Sequence, residues 1–244
     1  MKFSRLFTIL SLMFFLASCA AVNTAVSKRN LEVQTKMSDT IFLDPVKQSL
    51  RTVYLQIRNT SDKSDFNITE EVKSMIRARG YKIITNDPDK AHYILQANIL
   101  QVGKSSQTAA EQSLYGGYGD VAALGALGAA VGSYNGSSRS AIGGGLVGAG
   151  IGLVANSMVK DVYYSVITDL QISERVKSGK VRSKTKHKLS QGTSGAADVT
   201  YESTGTRKKY QTRVLSSANK VNLKWAEAEP ELKSGIAKSI SGMF

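Results

Sequence analysis

Residues that carry chemistry are scarce in this chain: 244 residues include one cysteine, two histidines and three prolines. A single cysteine excludes an intrachain disulfide. The histidines, His92 and His187, stand far apart with no cysteine beside them, which excludes the usual spacings of a zinc site. No acid, base and nucleophile are grouped in one motif. The reading is therefore of a protein that is not an enzyme, with no metal, no cofactor and no small-molecule substrate. Acidic residues are also few, 19 against 32 lysines and arginines, for a formal charge of +13. Charge of either sign almost vanishes from Val121 to Val159, where Arg139 stands alone. Gly143, Gly145 and Gly148 match a dinucleotide-binding pattern within that stretch. The polar run that precedes them, Asn135 to Ser140, is not the strand that such a site requires.

What fills the uncharged stretch is glycine and alanine. Two apolar arms, 121–134 and 141–159, flank the turn-forming centre Asn-Gly-Ser-Ser-Arg-Ser. Glycine costs a helix about 1 kcal/mol relative to alanine, so a glycine-rich helix needs close backbone contact in return. Gly144, Gly148 and Gly152 recur every four residues, and Gly125, Gly128 and Gly132 line the first arm. Small residues at that spacing let helices approach closely in lipid. The expectation is a glycine-zipper membrane hairpin over 116–160, packed through these six glycines into a homo-oligomer. The first arm is short for a span of about 20 residues, and a glycine-rich core hairpin of a soluble protein is the alternative.

The N-terminus has the form of a bacterial secretory signal: Lys2 and Arg5, then the apolar run LFTILSLMFFL. Leu16-Ala17-Ser18-Cys19 follows and resembles the lipobox of bacterial lipoproteins. The expectation is a signal peptide over 1–18, covalent lipid on Cys19 and a lipidated tether over 19–30. Ala20 is not the aspartate that resembles an inner-membrane retention signal, so the outer membrane of a Gram-negative cell is the expected location. Loss of Lys2 and Arg5 takes the formal +13 to +11. For an exported protein, the anions at hand are outer-membrane lipids and lipopolysaccharide rather than nucleic acid. Residues 175–188, RVKSGKVRSKTKHK, hold seven basic residues and no acid. Arg182, Lys184, Lys186 and Lys188 at spacing two share one face of a strand, as an anion-binding line or as a merely solvated hairpin.

The remaining segments make one α+β domain in two parts, 31–115 and 161–244. Alternation predicts strands at 31–37, 51–58, 81–85, 91–102, 162–172 and 210–215. Helical spacing appears at 68–79, stopped by Gly80, and again in the C-terminal segment, where Pro230 suits a first turn. Residues 103–113 read as a polar connection to the hairpin. The fold class expected is α+β, a mixed or antiparallel sheet with two helices, interrupted by a Gly-rich transmembrane helical hairpin.

Several blocks in one order resemble the TraT family: KRNLEVQTKMSDTIFLDP at 28–45, RTVYLQIRNTSDK at 51–63 and the Gly/Ala stretch. They continue with MVKDVYYSVITDLQISER at 158–175, QGTSGA at 191–196 and KYQTRVLSSANKVNLKWAEAEPELKSGIAKSI at 209–240. The resemblance implies an oligomeric outer-membrane lipoprotein that limits redundant conjugative DNA transfer and protects against complement. Its implied partners are its own copies and the mating apparatus or pilus of a donor cell. A structural or pore-forming envelope oligomer without an exclusion role is the alternative.

Overall fold

The computed structural model describes residues 26–120, 160–176, 181–191 and 194–244, with residues 182–204 described by their backbone alone. Six strands form a mixed sheet in the order β1-β8-β5-β4-β2-β3: β1 Glu32–Met37, β2 Thr52–Asn59, β3 Lys82–Ile84, β4 Tyr93–Lys104, β5 Asp161–Arg175 and β8 Arg207–Val221. β6 Val181–Gln191 and β7 Ser194–Gly205 form a separate antiparallel ribbon between β5 and β8. Three α-helices lie wholly within the described residues: α1 Thr69–Ala78, α2 Gln107–Gly116 and α3 Trp225–Ser241.

β2 pairs in parallel with both β3 and β4. Parallel neighbours need a crossover connection, and α1 supplies it. Val72 and Ile76 on the buried side of α1 pack with Leu232, Ile236 and Ile240 of α3 over one face of the sheet. That face is built from alternate residues, Val53, Leu95, Val166, Leu170 and Val214 among them. Period-two burial is what made these strands legible.

α3 lies unusually close to the sheet. A Cβ on Gly235 would stand 2.6 Å from the Thr35 hydroxyl and 2.8 Å from that of Ser216. The missing side chain at this position permits the contact, at the usual helix cost of a glycine. Trp225 at the start of α3 closes one end of the core against Phe66 and Tyr164.

The expected fold class needs correction. The described residues hold three helices where two were expected, and no helix among them is long and apolar enough to cross a membrane. α3, the longest at 17 residues, would extend about 25 Å, less than the hydrocarbon core, and it carries several charged residues. Among the described residues there is therefore no transmembrane helical hairpin. The stretch read that way, with Gly125, Gly128, Gly132, Gly144, Gly148 and Gly152, lies outside the described residues, as do Gly143 and Gly145.

α2 occupies the segment read as a polar connection. Ser106 caps it by accepting a hydrogen bond from the Ala109 N–H at 3.1 Å, and Ala109, Ala110 and Leu114 bury against Ile167 and Leu215 on the second face of the sheet. Pro230 falls in the second turn of α3 rather than the first. Between β1 and β2, Ile41 is buried and Leu43 packs on the core, whereas Phe42 between them is 82% exposed.

Candidate functional site

Charged and polar side chains are concentrated where the two long insertions leave the sheet. The first departure follows α2. Gly117 and Gly119 adopt φ of 71° and 79°, a region that glycine enters without strain, and the chain doubles back onto the sheet. There the Gly119 N–H donates to Asp169 Oδ2 at 2.9 Å. Arg213, fully buried, donates from Nε to Asp169 Oδ1 at 2.6 Å and from Nη2 to Oδ2 at 3.1 Å. Its Nη1 donates to the carbonyls of Ser113 at 2.9 Å and Asp120 at 2.8 Å. A buried ion pair is tolerated when further hydrogen bonds satisfy its remaining atoms. This one ties β5 and β8 to the end of α2 and to the last residue before 121.

The return of that insertion is fixed separately. The Lys160 N–H donates to Asn222 Oδ1 at 3.0 Å, and the Asn222 N–H returns a bond to the Lys160 carbonyl at 2.8 Å. Asn222 has φ of 52°, a left-handed conformation that asparagine enters more readily than most residues. Asn219 Nδ2 then donates to Asp161 Oδ1 at 2.6 Å. Entry and exit thus lie at opposite ends of the span from Asp169 to Asp161, about 26 Å of strand.

The second departure, into the ribbon, is held by two arginines. Arg207 donates to the carbonyls of His92 at 3.0 Å, Ala91 at 2.9 Å and Pro88 at 3.3 Å, and Arg175 donates to the carbonyl of Asp89. Burial and the neighbouring Arg175 lower the pKa of Arg207. Beneath them His92 is 6% exposed, its ring edge-on to Tyr93. Its Nε2 lies 3.7 Å from Glu174 Oε1, beyond hydrogen-bond distance, and has no other partner among the described residues. Tyr210 donates to the other oxygen of Glu174 at 2.9 Å. Burial lowers the His92 pKa despite Glu174, and Arg207 and Arg175 push the same way. His92 is neutral at pH 7.

Of the residues singled out from sequence, Cys19 lies outside the described residues. Arg182, Lys184, Lys186 and Lys188 fall at alternate positions of β6, as expected of a strand. The register sets Lys184 opposite Glu202 and Lys188 opposite Asp198, so the line of cations has two acids as cross-strand neighbours. His187 lies on β6, opposite Val199. Asp161 belongs to the exit contact. Asp169 and Arg213 were missed: each reads as a polar position in an alternating strand, and only register brings them together. Among the described residues no cluster of His, Cys, Asp or Glu could hold a metal.

Among the described residues, the buried charges of this sheet fasten the roots of its two insertions. The chain belongs to the TraT complement resistance family: the family model described as "Enterobacterial TraT complement resistance protein" matches residues 30–244. It is 46% identical over 230 residues to a TraT complement resistance protein of Escherichia coli, covering 94% of this chain and 93% of that one. A second Escherichia coli protein of that name is 45% identical over 245 residues, covering 100% of this chain and 99% of the relative. One from Wigglesworthia glossinidia brevipalpis is 32% identical over 234 residues, covering 94% and 91%.

Proposed function

We propose that this protein is a non-enzymatic outer-membrane lipoprotein, anchored through acyl chains on Cys19, that protects its cell from complement and reduces redundant conjugative DNA transfer into it. The observation that carries the complement reading is the 45% identity to a complement resistance protein over 100% of this chain and 99% of the relative; the anchor rests on Leu16-Ala17-Ser18-Cys19 and the exclusion role on the family resemblance. Each buried methylene contributes about 0.8 kcal/mol, so several acyl chains hold a protein durably on a membrane. The protein works as a homo-oligomer. Arg182, Lys184, Lys186 and Lys188 add affinity for the phosphates of lipopolysaccharide, weakened by salt.

The experiment compares cells that carry the gene, cells without it and cells carrying Cys19→Ser. Survival in serum and efficiency as mating recipients are measured in parallel. Wild type should raise survival and lower mating, and Cys19→Ser should lose both along with the lipid. Serum survival equal to that of empty cells overturns the complement reading, and unchanged mating overturns exclusion. Ion conductance in bilayers without either effect would favour a pore-forming envelope oligomer.

A further inference from the structure

The sheet face turned away from α1 and α3 carries a feature that the core does not use. Four glutamines stand side by side across four strands. Gln211 Nε2 donates to Gln171 Oε1 at 2.8 Å, Gln171 Nε2 to Gln96 Oε1 at 2.9 Å, and Gln96 Nε2 to Gln56 Oε1 at 2.8 Å. Register aligns them as one row, perpendicular to β2, β4, β5 and β8. α2 stops short of the row, beside Arg213; Tyr118 just beyond it hydrogen-bonds Gln211 at the end of the row, and all four glutamines are half-buried.

A primary amide has two N–H donors and an oxygen with two lone pairs. The ladder uses one donor and one lone pair of each inner glutamine, and leaves one of each. Neighbouring strands lie about 4.8 Å apart, so these groups recur at that interval along a straight line. The advance per ring of an extended glycan is of the same order. Tyr54 and Ile94, paired in the adjacent row and half-exposed, add an apolar strip on which the flat face of a sugar ring can rest.

Charge selects among occupants. Arg58, Lys82 and Lys209 are exposed on this face. Of the carboxylates on this face, Asp169, in the row next to the glutamines, is neutralised by Arg213, while Glu32 and Asp161 lie at the far end of the face, on β1 and at the start of β5. A second copy of the face would set cations against cations, and a protein interface has an apolar centre where this one has amides. A neutral glycan would leave the three cations unmet. We propose that this face binds an acidic polysaccharide, its hydroxyls on the glutamine row and its carboxylates on Arg58, Lys82 and Lys209.

The test is isothermal titration of the full-length, detergent-solubilised protein with oligogalacturonate, and in parallel with uncharged maltooligosaccharide. Wild type should bind the acidic oligomer and not the neutral one. Gln96→Leu with Gln171→Leu, and separately Arg58→Gln with Lys209→Gln, should each weaken binding by about tenfold or more, as the loss of two hydrogen-bonding side chains implies. The second pair changes only exposed residues and so keeps the test open if the leucine pair fails to fold. Lys47→Gln with Arg77→Gln, exposed and away from this face, should leave the affinity unchanged. Absence of heat with oligogalacturonate overturns the proposal, as does equal binding of the neutral oligomer. Loss in Lys184→Gln with Lys186→Gln, and none in the face variants, would transfer the site to β6 and overturn the proposal. A changed oligomer size in the face variants with unchanged binding would make the face an interface between copies. None of these readouts uses serum or mating, so failure here is separate from failure of the functional reading.

Discussion

Asp169 of β5 and Arg213 of β8 are register partners whose side chains meet on the second face of the sheet, and the same pair holds the backbone at Ser113, Gly119 and Asp120. Breaking one member strands a buried charge, which costs about 3–5 kcal/mol. Asp169→Asn should lower the urea midpoint correspondingly and open the 114–120 segment to protease under native conditions. Asp169→Leu with Arg213→Met, which removes both charges, should cost clearly less. Equal losses in the single and double variants would mean that packing, and not charge, sets the effect.

Gly235→Ala raises helix propensity by about 1 kcal/mol, and in an exposed helix it would stabilise. Here the added methyl meets the hydroxyls of Thr35 and Ser216, and overpacking of this kind costs about 1–3 kcal/mol. A net loss of roughly 1 kcal/mol is expected from thermal unfolding, relieved when Thr35→Ala is added. A rise in melting temperature from Gly235→Ala alone would show that α3 shifts freely over the sheet.

Because the folded protein keeps His92 neutral below its ordinary value of 6.5, the unfolded chain takes up the proton first as pH falls. The unfolded state then binds more protons, so stability is full above pH 6.5 and declines below it until the folded form is protonated too. His92→Gln should remove this component. The measurement is the difference in unfolding midpoint between pH 7.5 and pH 5 for wild type and variant, and identical differences would dismiss His92 as its source.

Ser106→Ala should cost about 1 kcal/mol by leaving the Ala109 N–H without its capping oxygen. Ser106→Asp keeps an acceptor and should recover most of it. Loss of protection in amide exchange confined to the first turn of α2 would confirm that the cap, and not the core, is affected.

The strands around the core were legible because one face of each is buried: Val53, Leu55 and Ile57, or Val162, Tyr164 and Val166, announce themselves by alternation alone. α2 was not legible. Its buried stripe is Ala109, Ala110, Ser113 and Leu114, small and partly polar residues that contrast little with the polar face. β8 appeared short because its second half, Ser216 to Asn219, buries serine, alanine and asparagine rather than large apolar side chains.

The sequence by itself determined the α+β character, most strands, α1 and α3, the signal-like N-terminus and the membership of the TraT family, since these rest on local periodicity and on ordered blocks of residues. Tertiary structure decided the strand order, the third helix, the absence of a membrane-crossing helix among the described residues, and which polar residues meet. Asp169 and Arg213 lie 44 positions apart, and Gln56 and Gln211 belong to the first and last strands of one row. Their contacts depend on pairing register, a property of the assembled sheet that no single strand contains.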